Sequence, residues 1–387
     1  MSPDRPRRPA AAGSTVDEVP PAPVGGADAR PTAEGDDDVR DVLVLRALGL
    51  GDALTGVPAL RGLRRRWPTA RLWLAAPGPL GDWLRRAGVV DRVLPVDGLR
   101  MPPPLPWDGG PHVAVNLHGR GPRSHRVLQA TDPTRLVAYA CPQAGHADGP
   151  PWVDGEHEVL RWCRLVNAAA DGHGGWCGPD DLRLRPDVTE PSDGRVPDPA
   201  AELDGQVLLH PGAASGARRW PVPRWAALAT ALAHDGLPVT LTGGRDEVAL
   251  CDAVLDHVTA PSPALRVLST AGTLDLDGLT RLVVRARLVV CGDTGVAHLA
   301  TAVGTPSVLL LGPTSPDRWG PLLDPDRHRV LWHGDPDVPG DPHAPTPDPA
   351  LLRITVDEVH EAVRDQLARG PLALTPAAHP PALPASA

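Results

Sequence analysis

Short apolar runs alternate with amphipathic stretches along most of the chain. Residues 41–46 read as a buried strand, and residues 53–67 carry apolar side chains at the three-and-four spacing of a helix that packs on a sheet. Further strands are predicted at residues 72–76, 92–96, 112–117 and 136–140. This alternation predicts βαβ units, which form a parallel sheet with helices on both faces.

A second series of the same kind follows the proline-rich residues 186–199, which we interpret as a linker. Its strands are predicted at residues 207–209, 239–242, 266–268, 288–291 and 307–311. Its helices are predicted to begin near Trp225, Glu247, Asp277 and Ala297. We therefore expect an α/β fold with two Rossmann-like domains, residues 40–190 and 200–355, facing each other across a cleft. A closing helix is predicted at residues 356–369, with disordered tails at residues 1–39 and 370–387.

The composition narrows the classes of partner. The chain has 387 residues and a net charge of -9, with no basic block, so nucleic acid is not an expected partner. Its five cysteines form no C-x-x-C pair, which favours a reduced, cytoplasmic protein. It contains no signal-peptide pattern and no apolar run near the ~18 residues that span a membrane. Lysine is absent, so arginine must provide any phosphate-binding cation.

The segment 289–312 is the most informative motif, because a polar turn separates two apolar strands. In an open α/β sheet, such a turn is where a ligand binds. Thr294 and Gly295 would present backbone N–H groups at a helix N-terminus, and Asp293 adds a carboxylate. Helical spacing places His298 one turn beyond Thr294, on the same side. The pattern predicts a phosphate or diphosphate site.

The first strand leads into a turn that contains Gly49, Gly51 and Asp52. The two glycines permit a tight backbone turn, and Asp52 falls where the next helix starts, at the carboxyl edge of the sheet. From local features alone, Asp52 is either a helix cap or a catalytic carboxylate. A dinucleotide site is less favoured, because the motif does not match G-x-G-x-x-G.

Two further loops of the second half suit a nucleotide. The small-residue loop after His210 contains Ser215 and is followed by Arg218 and Arg219. The backbone N–H groups of the loop could bind phosphate, and an arginine could pair with it. The alternative is a solvated arginine pair. Glu247 follows the next strand and could accept hydrogen bonds from ribose hydroxyls. A stabilising charge in the first helical turn is its alternative role.

In this order, the motifs resemble glycosyltransferase family 9, the heptosyltransferase-like group. The resemblance covers residues 41–368 and rests on several segments. They are the L-G-D turn with P-A-L-R-G-L-R-R-R-W-P, then H-P-G-A-A-S-G-A-R-R-W-P-V-P-R-W, L-T-G-G, G-D-T-G-V-A-H-L-A-T-A-V-G-T-P and L-G-P-T-S-P-D-R-W-G-P.

The resemblance implies a GT-B fold and inverting sugar transfer from a nucleotide donor without a bound metal or other cofactor. It implies that the first domain binds the acceptor, with Gly49 and Gly51 on that side, and that Asp52 is the general base. Arg218 stands where the family usually has a lysine. The implied donor-binding residues are Ser215, Arg218, Glu247, Asp293, Thr294, Gly295 and His298. The chain departs from the family at residues 48–52, where leucine and glycine replace the usual serines.

We therefore expect a cell-envelope glycosyltransferase with ADP-heptose as the leading donor and a glycan, lipid-linked or small-molecule acceptor. It would be cytoplasmic, either free or peripheral at the inner face of the membrane. A nucleotide-sugar 2-epimerase-like isomerase on the same fold is the alternative, and a non-catalytic sugar-nucleotide binding protein is a third hypothesis.

Overall fold

A computed structural model describes residues 39–100, 105, 111–169, 175–184, 203–259, 267–370 and 374–375. The chain from Asp38 onward forms one compact unit. The predicted linker lies outside the described residues. The same is true of the predicted tails, apart from residues 39, 370 and 374–375.

The first half is built on a parallel five-stranded sheet with the order β3-β2-β1-β4-β5. Its central strand β1 is buried along its whole length, and Val42 lies between Leu72 of β2 and Val113 of β4. The strands are β1 (Asp41–Leu45), β2 (Arg71–Ala76), β3 (Arg92–Pro95), β4 (His112–Asn116) and β5 (Arg135–Val137). The strand order therefore reverses direction between β1 and β4, and open α/β sheets bind ligands at such a switch point.

The helix predicted at residues 53–67 is two helices, α1 (Leu50–Thr55) and α2 (Val57–Arg66). Gly56 separates them, and Pro58 sits in the first turn of α2, where its missing N–H costs no helical bond. The other helices of this half are α3 (Gly78–Arg86), α4 (Arg123–Gln129) and α5 (Glu158–Ala168). The predicted strand at residues 136–140 is shorter and ends at Val137.

The second half contains a parallel six-stranded sheet with the order β11-β10-β9-β6-β7-β8. Its strands are β6 (Val207–His210), β7 (Val239–Leu241), β8 (Val267–Ser269), β9 (Leu288–Gly292), β10 (Ser307–Leu311) and β11 (His328–Trp332). Its helices are α6 (Val222–His234), α7 (Val248–Leu255), α8 (Leu276–Arg285), α9 (Gly295–Val303), α10 (Pro316–Trp319), α11 (Pro349–Arg353) and α12 (Val356–Ala368). Here the switch point lies between β6 and β9.

The two halves share part of their apolar core. Leu282 of α8 and Leu299 of α9 belong to the same buried cluster as Val42 and Leu60 of the first half. The closing helix α12 packs into the second cluster, with Val359 and Val363 fully buried there beside Leu228 of α6. Helices α8 and α9 of the second half therefore also hold the two halves together.

Candidate functional site

The switch points of the two sheets face one cavity. Its volume is about 580 Å³, and both halves of the chain line it. The first half contributes the turn after β1, and the second contributes the segments after β6, β9, β10 and β11. The lining residues are Leu48, Gly49, Leu50, Gly51, Asp52, Ala214, Arg218, Asp293, Thr294, Gly295, His298, Pro313, Thr314, Ser315, Arg318, Trp319, Trp332, Asp335, Pro336, Pro339, Gly340, Pro342 and His343.

Asp52 lies in the first turn of α1, and the N-cap position is taken by Gly49. Its side chain is 34% exposed and faces the cavity. Burial raises the pKa of Asp52 above its ordinary value, although the nearby guanidinium of Arg46 acts in the opposite direction. Asp52 is therefore not the helix cap, which was one of its two roles predicted from local sequence. It gives a carboxylate of raised basicity.

Arg218 is a cation that lines the cavity, and it lies at the end of a 3-10 turn after β6 (Gly216–Arg218). Its guanidinium lies 3.7 Å from the carboxylate of Asp293 and donates to the Asp293 carbonyl oxygen at 3.2 Å. Arg219 instead donates to the carbonyl oxygen of Ala213 at 2.9 Å. Of the two arginines, only Arg218 lines the cavity.

Asp293 is 8% exposed, and burial raises its pKa, although Arg218 and Thr314 act in the opposite direction. A buried carboxylate of this kind needs a partner, because an isolated charge is costly away from water. Arg218 supplies that partner. The pair fixes the guanidinium at the carboxyl ends of β6 and β9.

Helix α9 begins beside the cavity. Thr294 is its N-cap and accepts a hydrogen bond from the N–H of Val296, while Gly295 is the first helical residue. One turn later, His298 contacts the ring of Trp319 edge-on, with 5.6 Å between the ring centroids. Burial lowers the pKa of His298 to about 4. At neutral pH the imidazole is therefore uncharged and contributes a hydrogen-bonding group rather than a cation.

Glycine allows the two halves to touch beside Asp52. A Cβ atom on Gly51 would lie 2.9 Å from the ring of His298, and one on Gly295 would lie 2.8 Å from Cβ of Leu50. Any larger side chain at either position would force the surrounding structure to shift. This close approach brings the α1 turn and the α9 N-terminus together around one cavity.

Two sequence-predicted donor residues are not part of the described cavity lining. Ser215 donates to the carbonyl oxygen of Pro342 at 2.5 Å and accepts from Nε of Arg218 at 3.3 Å. Glu247 accepts from the N–H of Gly244 at 2.8 Å and lies 3.9 Å from His210. Ser215 therefore holds the arginine, and Glu247 sits on the neighbouring β6–β7 side. Their donor-binding roles remain predictions.

One wall of the cavity consists of residues for which the sequence predicts no role. This wall combines Arg318 and Trp319 of α10 with Trp332 and residues 335–343 after β11. The signal for α10 was present, since its residues fall in the P-T-S-P-D-R-W-G-P motif. The segment after β11 has no hydrophobic periodicity that could have predicted its place. Two backbone hydrogen bonds hold it beside the cavity, from the N–H of Ala217 to the carbonyl oxygen of Ala344 and from the N–H of Asp348 to that of Ala217.

The family model for glycosyltransferase family 9 (heptosyltransferase) matches residues 143–335. Among curated proteins, lipopolysaccharide heptosyltransferase 2 of Escherichia coli strain K12 is 34% identical over 113 residues, covering 29% of this chain and 32% of that protein. Residues 143–335 therefore match this family, and together with the curated relatives they support a heptosyltransferase-like protein. The aligned part spans only 32 to 33% of the first curated relatives.

Two solved structures with this fold belong to heptosyltransferase-like proteins. A glycosyl transferase family 9 structure from Veillonella parvula DSM 2008 has a TM-score of 0.65 at 18% identity, covering 86% of this chain and 98% of that one. ADP-heptose LPS heptosyltransferase II of E. coli also has a TM-score of 0.65, at 21% identity, covering 85% and 99%. The two parallel sheets are therefore those of a GT-B fold. Within the described residues, no helix combines the length and apolar character needed to cross a bilayer.

Proposed function

We propose that the protein is an inverting, metal-independent glycosyltransferase that moves a sugar, with heptose as the leading choice, from a nucleotide donor to an acceptor hydroxyl. One observation carries this proposal. Asp52 of the first half and the Arg218, Asp293, Thr294, Gly295 and His298 group of the second half line the same cavity. A basic carboxylate thus faces a diphosphate-suited helix N-terminus, as an inverting displacement requires.

In the proposed step, the acceptor oxygen attacks the anomeric carbon while the bond from that carbon to the diphosphate breaks. The hydroxyl proton passes to Asp52, and the bonding electrons leave with the nucleoside diphosphate. Negative charge then grows on the leaving phosphate. Arg218 and the N-terminus of α9 stabilise it, because both present positive charge or partial charge toward the cavity.

The choice of ADP-heptose rests on the family resemblance and on the similarity to heptosyltransferases, while the acceptor is a broader proposal. We propose a glycan, a lipid-linked saccharide or a small molecule, with the protein cytoplasmic or peripheral at the inner face of the membrane. The five cysteines are free and buried, which fits a reducing compartment.

A donor screen tests the proposed reaction. Nucleoside diphosphate release would be measured for ADP-, GDP- and UDP-sugars, including ADP-heptose, with and without acceptor mixtures. Release that depends on acceptor and is greatest with ADP-heptose supports transfer. Conversion of the donor sugar to an isomer without acceptor would favour the 2-epimerase alternative, and binding without turnover would favour a non-catalytic protein.

The proposal predicts that turnover survives metal chelation. Arg218 and the N-terminus of α9 both line the cavity and could neutralise a diphosphate there as a divalent cation does in other enzymes. The measurement is the initial rate before and after EDTA treatment and desalting, with Mg²⁺, Mn²⁺ and Fe²⁺ added back separately. A rate that vanishes with EDTA and returns with any one metal would refute the metal-independent mechanism.

The proposal also predicts a single acidic limb in the pH dependence of kcat/KM. The base must be deprotonated, so the rate is full above the pKa of Asp52 and is lost as the pH falls through it. Because burial raises that pKa, the limb should lie above the ~3.9 of an ordinary aspartate. His298, with a pKa of about 4, should add no limb near the ordinary histidine value of ~6.5. A limb near that value that disappears in His298→Gln would contradict the assignment.

A further inference from the structure

A buried guanidinium lies directly beneath the proposed base. Arg46 is only 1% exposed, yet its head group reaches three parts of the first half. It donates to the carbonyl oxygens of Asp52 and Leu117, and to the hydroxyl of Thr55 at 2.8 Å. It also lies 3.9 Å from the Asp52 carboxylate. Both the backbone and the charge of Asp52 are therefore in contact with one side chain.

The chain between α1 and α2 is shaped to admit this side chain. A Cβ atom on Gly56 would lie 2.8 Å from Cδ of Arg46 and 2.9 Å from its Nε, so the position leaves room only for glycine unless Arg46 moves. Thr55 also donates its hydroxyl to the Asp52 carbonyl oxygen at 2.9 Å. Arg46 and Thr55 thus both stabilise the first turn of α1 by donating hydrogen bonds to the carbonyl oxygen of Asp52.

A second buried carboxylate, Glu158, compensates the guanidinium. Glu158 is the first residue of α5 and is 8% exposed. One of its oxygens lies 3.4 Å from the Arg46 guanidinium and accepts from Nε1 of Trp162 at 2.7 Å. The other accepts from Arg161. Both oxygens therefore have donors, and the helix N-terminus adds favourable partial charge.

The charged neighbours of Asp52 shift its pKa in opposite directions. A lone guanidinium 3.9 Å away would lower the pKa of the carboxylate and make it a poor base. Burial is the largest cause that raises the pKa of Asp52, and the negative charge of Glu158 also raises it, against the effect of Arg46. From the second half, Arg218 and His298 face the same carboxylate; Arg218 lowers its pKa, and His298 does so when it is protonated. Burial lowers the pKa of His118, which lies beside Arg46, to about 4. His118 is therefore uncharged at neutral pH.

We propose that Arg46 and Glu158 form a positioning pair for Asp52. Arg46 fixes the turn that carries the carboxylate, and Glu158 cancels enough of the guanidinium charge to keep that carboxylate basic. The inference rests on the proposed function for its catalytic meaning. The ionisation of Asp52 can nevertheless be measured without turnover.

The first test compares Glu158→Gln with Glu156→Gln. Glu156 is a matched control, since it lies two residues away and pairs with Arg164 at 2.7 Å, away from Asp52. The pKa of Asp52 would be read by NMR titration of ¹³C-labelled aspartate carboxyls, with the signal assigned by its absence in Asp52→Asn. We expect Glu158→Gln to lower this pKa by about one unit and to move the acidic limb of kcat/KM equally. Glu156→Gln should change neither.

A second variant keeps the test decisive if Glu158→Gln does not fold. Arg46→Gln leaves Glu158 paired with Arg161, so the buried charges stay balanced. It should raise the pKa of Asp52, opposite in sign to Glu158→Gln. An unchanged pKa in a folded Glu158→Gln or Arg46→Gln protein, or equal shifts in Glu158→Gln and Glu156→Gln, would overturn the proposal. If no variant or wild-type protein turns over, the proposed function fails, while the titration still decides the pairing.

Discussion

Asp52→Asn should remove most turnover while leaving the fold and donor affinity almost unchanged. Asparagine keeps the size of the side chain but cannot accept the acceptor proton, so the single-turnover rate should fall roughly a hundredfold to ten-thousandfold. The melting temperature and the affinity for ADP should stay close to wild type, because Asp52 makes no capping hydrogen bond at α1. The measurements are a melting curve, a nucleotide titration and a single-turnover rate on one preparation.

Asp357→Asn is a suitable control for this substitution. Asp357 is also an acidic residue in the first turn of a helix, α12, but it is exposed and far along the chain from the cavity lining. Loss of its interaction with the helix dipole should cost about 0.3–1 kcal/mol of stability with no effect on rate. A near-normal rate in Asp52→Asn would return Asp52 to a structural role and leave the base unidentified.

Arg218→Ala should weaken nucleotide binding far more than Arg219→Ala. Arg218 lines the cavity, whereas Arg219 is engaged with the carbonyl oxygen of Ala213. Losing one charged phosphate contact costs about 1.5–3 kcal/mol, which corresponds to roughly a tenfold to hundredfold loss of ADP affinity. Calorimetric titration of ADP into the full chain measures the difference.

Arg218→Lys separates charge from geometry at this position. Lysine should retain part of the affinity, because it keeps the positive charge but loses the planar fork. Arg218→Ala also leaves Asp293 without its cation, so a melting curve must accompany each titration. Equal losses of affinity in the Arg218 and Arg219 variants would show that the family lysine position has been assigned to the wrong residue.

The sequence predicted most of the sheet architecture, because each parallel strand is a short apolar run between turn residues. Residues 288–291 and 307–311 match β9 and β10 closely for this reason. Helix starts were predicted less accurately. The helix expected near Trp225 begins at Val222, since Pro221 and Pro223 are compatible with a first turn. The break at Gly56 was missed because apolar spacing continues across it.

The candidate site was predictable where residues come after the carboxyl end of a strand, and unpredictable where contacts depend on packing between distant parts of the chain. Asp52, Arg218 and Asp293 all follow strands at the same sheet edges, and the structure brings them to one cavity. The pairing of Arg46 with Glu158 joins residues that are 112 positions apart. Nothing in their local patterns connects them. Glu247 was placed by its sheet edge, but its neighbour His210 could not be inferred from spacing.

The contact of Gly51 with α9 has a consequence for how this scaffold can change its substrates. At that point the backbone of Gly51 approaches the backbone of Gly295 and the imidazole of His298, so the main chain sets the distance between the α1 turn, which carries Asp52, and the N-terminus of α9. A larger side chain at Gly51 or Gly295 would force the two halves apart, so substitution there cannot adjust the width of the cavity. The opposite wall, residues 335–343, is largely exposed and is rich in proline and aspartate. If the proposed function holds, adaptation to larger or differently charged sugars and acceptors should therefore occur by exchange of that loop, while the separation between Asp52 and the N-terminus of α9 stays fixed.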